Sequence, residues 1–295
     1  MSFNAESYHT LIQERYNIIQ SQLSHNEYYK QLYHITSPKL QHLSHSKPYI
    51  HQPTKNLPIN TYIDHTVLKA DATYRDIEQM CNQARQYNFY SVCVNSSRVT
   101  QCKKLLNGCP TSITCVVGFP LGSMSSDSKS FEAKQCIADG ANEIDMVINI
   151  GYVKDNDYNY VFNDIVNVVR TASGYTVKVI IETSLLSLEQ IIDCSILVVL
   201  SGAQYVKTST GFNGGGATTE HISLMKLITT NTIMIKASGG IRDYTTAVNM
   251  LNCGANRLGV SAGVDIVQGE QQAAAAQQPM VQHTQPLPTG ASNAY

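Results

Sequence analysis

The sequence predicts an α/β protein, a TIM-type (β/α)8 barrel with an N-terminal extension and a flexible C-terminal tail. Three observations predict it. Between Thr61 and Gln268, short β-branched apolar runs alternate with stretches of helical periodicity, the pattern of repeated β-α units around a parallel sheet. Eight runs of each kind can be traced, and eight parallel strands with crossover helices close into a barrel instead of leaving open edges. The 295 residues exceed the roughly 250 that such a barrel usually takes, leaving chain over for both ends.

Residues 1–57 are polar and rich in Tyr, His and Gln, with one helical stripe at Tyr8, Leu11, Ile12, Arg15 and Ile19. They read as an extension, partly helical or disordered. His42, His45 and His51 fall in a Ser- and Lys-studded stretch with neither a carboxylate nor a regular face, so solvated loop is expected there and not a metal cluster. Residues 58–268 form the expected barrel. Its strands are Thr61 to Thr66, Phe89 to Asn95, Ile113 to Phe119, Glu143 to Asn149, Val177 to Thr183, Tyr205 to Thr210, Ile233 to Gly239 and Arg257 to Val260. After the first strand, Thr73 and Asp76 make a capping box ahead of Ile77, Met80, Cys81, Ala84 and Tyr87 at helical spacing. Ser187 and Gln190 cap a second helix, whose expected buried stripe is Ile191, Ile192, Ser195, Val198 and Val199. Residues 269–295 are poor in large apolar side chains and punctuated by Pro and Gly, which predicts a flexible tail; the AAAA run can lengthen the last helix by a turn or two.

Composition narrows the function. A hydrophobic fraction of 43% supports a sizeable core, and a net charge of −1 gives no summed field toward nucleic acid or an acidic membrane. No apolar run reaches the ~18 residues of a membrane span and the N-terminus lacks a basic-then-apolar leader, so a cytoplasmic protein is expected. The eight cysteines form no C-x-x-C pair and mostly interrupt apolar patterns, as reduced core residues do. The oligomeric state is left open, a homo-oligomer included.

Active sites of such barrels collect at the C-terminal ends of the strands, which directs attention to polar residues there. In YVKTSTG, Tyr205, Lys207 and Ser209 share a face; in IMIKASGG, Met234, Lys236 and Ser238 do. Lysine is depleted in strands and seldom buried without a partner. Either lysine could instead point outward between helices and snorkel to solvent. Together on adjacent strands they suggest an amine nucleophile beside a second cation. An ordinary lysine of pKa ~10.4 is neutral in only about one molecule in 2,500 at pH 7. A like charge about 5 Å away, at an effective dielectric of ~20, costs about 3 kcal/mol and lowers that pKa by roughly two units. Asp64 and Asp145 each interrupt an apolar strand and are expected at the barrel mouth, as counter-ions or proton relays. Lys178 and Glu182 share a face of the fifth strand and are expected to join the same network.

Glycines crowd the later loops: Gly211, Gly214, Gly215 and Gly216, then Gly239 and Gly240 with Arg242, then Gly259, Ser261 and Gly263. Tight turns would use glycine too, but clusters after three successive strands suit a phosphate cradle of exposed backbone N–H groups. Amine and phosphate grip together point to a class I aldolase acting on a phosphorylated sugar, with Thr210 and Gly211 beside the phosphate.

The segments IDHTVLKADAT, SVCVN, EIDMVINIG, KVIIET, YVKTSTGF, IKASGGIRD and RLGVSAG, in that order from about Ile63 to Val267, resemble the motifs of the deoxyribose-phosphate aldolases. The resemblance implies that Lys207 forms a Schiff base, that Lys236 lowers its pKa, that Asp145 takes part in proton relay, and that Gly239, Gly240, Gly259 and Ser261 hold phosphate. It implies reversible cleavage of deoxyribose 5-phosphate to glyceraldehyde 3-phosphate and acetaldehyde, with no metal or organic cofactor. It also implies a part for Tyr295, since some members end in a tyrosine that moves the methyl proton. Ala262 departs from the pattern where several relatives carry a second serine. The rivals are another Schiff-base phosphosugar aldolase with a ketose donor, and a barrel kept as a non-catalytic scaffold.

Overall fold

The structure, a computed structural model, describes residues 5–44 and 57–276. Eight parallel strands close into a barrel in sequence order: β1 (Ile63–Thr66), β2 (Ser91–Val94), β3 (Ser112–Val117), β4 (Glu143–Val147), β5 (Thr176–Ile180), β6 (Tyr205–Lys207), β7 (Met234–Ser238) and β8 (Arg257–Val260). Closure is made by β8 against β1, with Ile63 opposite Leu258. The helices before and between the strands are α1 (Ala5–Leu23), α2 (Glu27–Thr36), α3 (Tyr74–Tyr87), α4 (Val99–Leu105), α5 (Ser126–Asp139), α6 (Ile150–Lys154), α7 (Tyr158–Thr171), α8 (Leu188–Ser201), α9 (Thr219–Thr229) and α10 (Tyr244–Asn252). The last, α11 (Gly263–Ala276), takes in the AAAA run. Among the described residues no helix is long and apolar enough to cross a membrane.

Both capping boxes form. Thr73 accepts from the Asp76 N–H while the Asp76 carboxylate accepts from the Thr73 N–H, and Ser187 and Gln190 repeat the exchange. Strands β2 to β7, however, end before the runs that announced them, whereas β8 spans Arg257–Val260 as expected. β6 ends at Lys207, because the following residues bond sideways: Thr208 Oγ1 donates to the Ser238 carbonyl, and the Ser238 N–H donates back to Thr208 Oγ1. At the other end, Thr61 and Tyr62 belong to a 3-10 turn, Ile59–Tyr62, ahead of β1.

The hydrophobic core lies between strands and helices, and Ile144, Met146, Val177 and Val179 from the strands share one cluster with Ile165, Ile192 and Ile196 from the helices. Helix α8 differs from expectation: every residue from Ile191 to Ser201 is buried, not one stripe. The cause is α1 and α2, which pack on its outer side. Ile12, Ile19 and Leu23 join the core there, and the Arg15 guanidinium grips the buried Asp193 carboxylate with Nε to Oδ1 at 2.7 Å and Nη2 to Oδ2 at 2.5 Å. Tyr158 completes the cluster, donating its hydroxyl to Asp193 Oδ2 at 2.5 Å. On α2, Tyr29 meets the Phe162 ring edge-on at 6.1 Å. His42 departs from the predicted solvated loop: it lies in a 3-10 segment, Ser37–Ser44, with Nε2 3.2 Å from the Leu227 carbonyl of α9. His45 and His51 lie outside the described residues.

Candidate active site

Because side chains alternate along a strand, one face of each strand fills the barrel. Most barrels fill that space with branched apolar residues. Here it is filled with charge. Asp64 from β1, Glu143 and Asp145 from β4, Lys178 from β5, Lys207 from β6, Lys236 from β7 and Arg257 from β8 form one connected network. Asp145 is its hub: Oδ1 accepts from Lys178 Nζ at 2.8 Å, and Oδ2 accepts from Lys207 Nζ at 2.8 Å and Lys236 Nζ at 2.7 Å. Lys236 also donates to Asp64 Oδ2, whose other oxygen accepts from Arg257 Nη1 at 2.9 Å and Ser91 Oγ at 2.6 Å. Lys178 reaches Glu143 Oε2 at 2.6 Å.

The two central lysines differ. Lys236 lies between two carboxylates, and although burial works against its charge, Asp145 and Asp64 raise its pKa above the ordinary lysine value. Lys207 has one carboxylate oxygen, shared with Lys236; burial, aided by the Lys236 charge and opposed by Asp145, lowers its pKa. Burial outweighs the neighbouring cation as the cause of this lowering. Asp145 stays ionised: burial alone would raise its pKa, yet Lys178, Lys207 and Lys236 together hold it well below the usual range. Of the three lysine side chains only Lys207 retains exposure, 4% against 0% for Lys178 and Lys236.

Several expectations shift. Asp64 and Asp145 are fully buried inside the barrel, beneath the mouth where they were expected. Lys178 joins the network, but Glu182 does not: β5 ends at Ile180, and the Glu182 carboxylate turns to Thr210 and Asn213. Glu143 and Arg257 were missed, although period-two spacing pairs Glu143 with Asp145 and Arg257 with Gly259 on inward faces. Arg257 also lies over the Tyr90 ring, 3.3 Å from its centroid.

Thr210, Gly211, Gly239 and Gly240 gather where the loops after β6 and β7 meet. These loops interlock: a Cβ on Gly216 would stand 2.3 Å from the Gly239 carbonyl oxygen. Gly211, Gly239 and Gly240 all have positive φ, and among the described residues their N–H groups donate to no backbone carbonyl. Ser261 is exposed just before α11. Gly259 sits deeper, where a Cβ would meet Lys236 Cε at 2.9 Å; its bare Cα makes room for the Lys236 stem. Tyr295 lies outside the described residues. A small apolar patch of Leu68, Cys93 and Val116, with Phe119 against it, also lines the inner surface. Burial pushes the Cys93 thiol up while Lys236 and Lys207 oppose it, which places the patch beside the lysines.

Fold and site together define a barrel enzyme of the aldolase class. The chain belongs to the DeoC/LacD family of aldolases, whose model matches residues 59–269. It is 51% identical over 213 residues to the deoxyribose-phosphate aldolase of Bdellovibrio bacteriovorus, covering 72% of this chain and 97% of that protein. The deoxyribose-phosphate aldolase of Finegoldia magna is also 51% identical over 213 residues, 72% of this chain and 100% of that one. Among solved structures, one from Coccidioides immitis described as a deoxyribose-phosphate aldolase superposes with a TM-score of 0.74 at 39% identity, covering 82% of this chain and 98% of that chain. The tetrameric deoxyribose phosphate aldolase of Aeropyrum pernix gives a TM-score of 0.69 at 27% identity, covering 73% of this chain and 92% of that one.

Proposed function

We propose that this chain catalyses reversible class I cleavage of 2-deoxy-D-ribose 5-phosphate to D-glyceraldehyde 3-phosphate and acetaldehyde, a step of deoxyribonucleoside catabolism, through a Schiff base on Lys207. The observation that carries the reading is the single oxygen, Asp145 Oδ2, shared by Lys207 and Lys236. Two ammonium groups on one acceptor oxygen favour loss of one proton, and Lys236, with a second carboxylate, keeps its own.

The neutral Lys207 amine attacks the aldehyde carbon of the open-chain sugar, and loss of water leaves an iminium. The C3 hydroxyl then gives up its proton, the C2–C3 bond breaks, and its electron pair moves toward the iminium nitrogen. Glyceraldehyde 3-phosphate departs and an enamine remains. Protonation of the enamine carbon, then addition of water, frees acetaldehyde and returns the amine. Asp145, hydrogen-bonded to Lys207 Nζ, is the group through which protons reach and leave that nitrogen. The Leu68, Cys93 and Val116 patch suits a methyl-bearing two-carbon fragment, which disfavours the larger donor of a ketose aldolase. Thr210, Gly211, Gly239, Gly240 and Ser261 would face the phosphate, with Gly259 acting beneath them. On this reading residues 58–268 are the catalytic unit and residues 1–57 an added layer. The eight free cysteines support a reducing, cytoplasmic setting, and the tetrameric Aeropyrum pernix structure supports a homo-oligomer.

Incubation with acetaldehyde and borohydride, followed by peptide mapping, tests the reading. A reduced two-carbon adduct on Lys207 is expected; labelling confined to other lysines would refute the assignment.

A further inference from the structure

Glu182 has no part in the lysine network, yet it is fully buried and its backbone is left-handed, with φ 56° and ψ 65°. A side chain with a Cβ adopts that region at a cost, and such strain persists only where the surroundings hold it. What holds it here is one loop. The Glu182 carboxylate accepts from the Thr210 N–H at 3.2 Å, from the Thr210 hydroxyl, and from Asn213 Nδ2 at 2.9 Å. Every hydrogen bond to this carboxylate among the described residues comes from the segment between β6 and α9. The Thr210 hydroxyl in turn accepts from the Phe212 N–H at 3.1 Å, so the turn around Gly211 is fixed on both sides by the same acid.

The coupling continues outward. Next to Glu182, Ser184 packs under Gly215, where a Cβ would stand 2.4 Å from the Ser184 Cβ. Gly216 then packs on Gly239, and the Ala217 N–H donates to the Ser238 and Gly239 carbonyls at 3.1 Å each. A chain of contacts therefore runs from Glu182 through residues 210–216 to the glycines after β7. A buried carboxylate near a phosphate would ordinarily repel it; here its lone pairs are occupied by loop donors. The loop's other donors, above all the Gly211 N–H, are left for a ligand.

We propose that Glu182 is a positioning residue for phosphate recognition, holding residues 210–213 in the one shape that offers backbone N–H groups to the phosphate of the sugar. This rests on the phosphosugar reading above. It assigns the discrimination between phosphorylated and plain deoxyribose to an acidic residue that never meets the substrate.

The test compares the full-length chain with Glu182→Gln and Glu182→Asp. Three quantities are read: affinity for inorganic phosphate by titration calorimetry, the ratio of kcat/KM for deoxyribose 5-phosphate over deoxyribose, and borohydride trapping of acetaldehyde on Lys207. Glu182→Gln presents an NH2 group where the Thr210 N–H needs an acceptor. It should lower phosphate affinity and the substrate ratio by at least about tenfold, chiefly through KM, while Lys207 trapping stays at the parent level. Glu182→Asp should recover part of the ratio. If Glu182→Gln does not fold, Asn213→Ala, which removes one donor and leaves the charge, should lower the ratio severalfold. Unchanged phosphate affinity in the folded variants would overturn the proposal, as would a loss of trapping equal to the loss of the ratio. Failure of the parent itself to label at Lys207 would instead strike the aldolase reading, while the phosphate titration still decides the role of Glu182.

Discussion

Lys207 and Lys236 are register partners on neighbouring strands, and their Nζ atoms donate to the same oxygen, Asp145 Oδ2, at 2.8 and 2.7 Å. Around that oxygen, four cations (Lys178, Lys207, Lys236 and Arg257) face three carboxylates (Asp64, Glu143 and Asp145). The barrel interior thus carries one positive charge more than it can pair. Loss of the Lys207 proton balances it, and an iminium on Lys207 restores the charge of the resting ammonium. Relative to the neutral amine, the iminium adds one positive charge, and Asp145 is the carboxylate hydrogen-bonded to the nitrogen that bears it.

Replacing Lys236 by leucine removes the like charge and leaves Asp145 Oδ2 to Lys207 alone. Lys207 then holds its proton more tightly, so the neutral fraction at pH 7 falls. The expected outcome is a loss of kcat/KM by about a hundredfold, corresponding to roughly two pKa units, recovered in part as pH rises toward 10. A pH–rate profile from 6 to 10 checks this; a profile parallel to that of the parent would assign Lys236 another role.

Asp64 carries the opposite pH signature. Its folded pKa lies below the unfolded value of about 3.9, because Lys236, Arg257 and Lys178 outweigh the burial that would raise it. Its contribution to stability is therefore complete above about pH 4 and is lost as pH falls toward the folded value. Asp64→Asn should cost about 3–5 kcal/mol at pH 7, the penalty for breaking a buried pair, and the gap from the parent should narrow below pH 4. Urea unfolding at a series of pH values measures it. A gap that stays constant into acid would contradict the assignment.

Arg15 ties the N-terminal helices to the barrel. Burial raises the pKa of Asp193, and Arg15 and Tyr158 counter it. Arg15→Ala should destabilise the chain by about 3 kcal/mol at pH 8, since it strands a buried carboxylate. The raised Asp193 pKa rises further without Arg15, so the penalty is present above it and is relieved as protonation sets in on lowering the pH. Thermal unfolding at pH 8 and pH 5 should show the larger difference at pH 8, with Lys207 trapping unaffected.

Tyr295 enters only through the family resemblance. If its phenol moves the methyl proton between iminium and enamine, Tyr295→Phe should slow turnover and solvent-deuterium exchange into acetaldehyde by about a hundredfold, the scale of general acid–base catalysis. Borohydride trapping on Lys207 should persist. Exchange at the parent rate would leave Tyr295 without that role.

Much of this was legible in the sequence because it is local. The boxes at Thr73 and Ser187 and the order of the eight strands follow from spacing alone; spacing put Lys207 and Lys236 in equivalent places on adjacent strands, and their carboxylate partners show that both point inward. Strand ends were not legible: the run through Thr210 stays buried, but past Thr208 its backbone is met by side chains, the Ser209 carbonyl by the Ser238 hydroxyl and the Thr210 N–H by the Glu182 carboxylate. Depth was misjudged for Asp64 and Asp145 because an interrupting charge reads as a mouth residue until its partners are known. Glu143 and Arg257 stood at strand starts, where charges are ordinary, and only the parity shared with Asp145 and Gly259 marked them. For α8 the signal was present, since LEQIIDCSILVVLS is apolar all round, a pattern of helices buried on every side. What covers it could not be read, because Arg15 and Asp193 stand 178 residues apart.

That separation sets an order of assembly. At a synthesis rate of about 5–20 residues per second, Asp193 leaves the ribosome roughly 10 to 35 seconds after Arg15. Over that interval α1 and α2 have no barrel face to settle on, and Ile12, Ile19 and Leu23 are exposed as the nascent chain grows. Helices α1 and α2 are thus made well before the surface they settle on, and their seating follows the folding of α7 and α8.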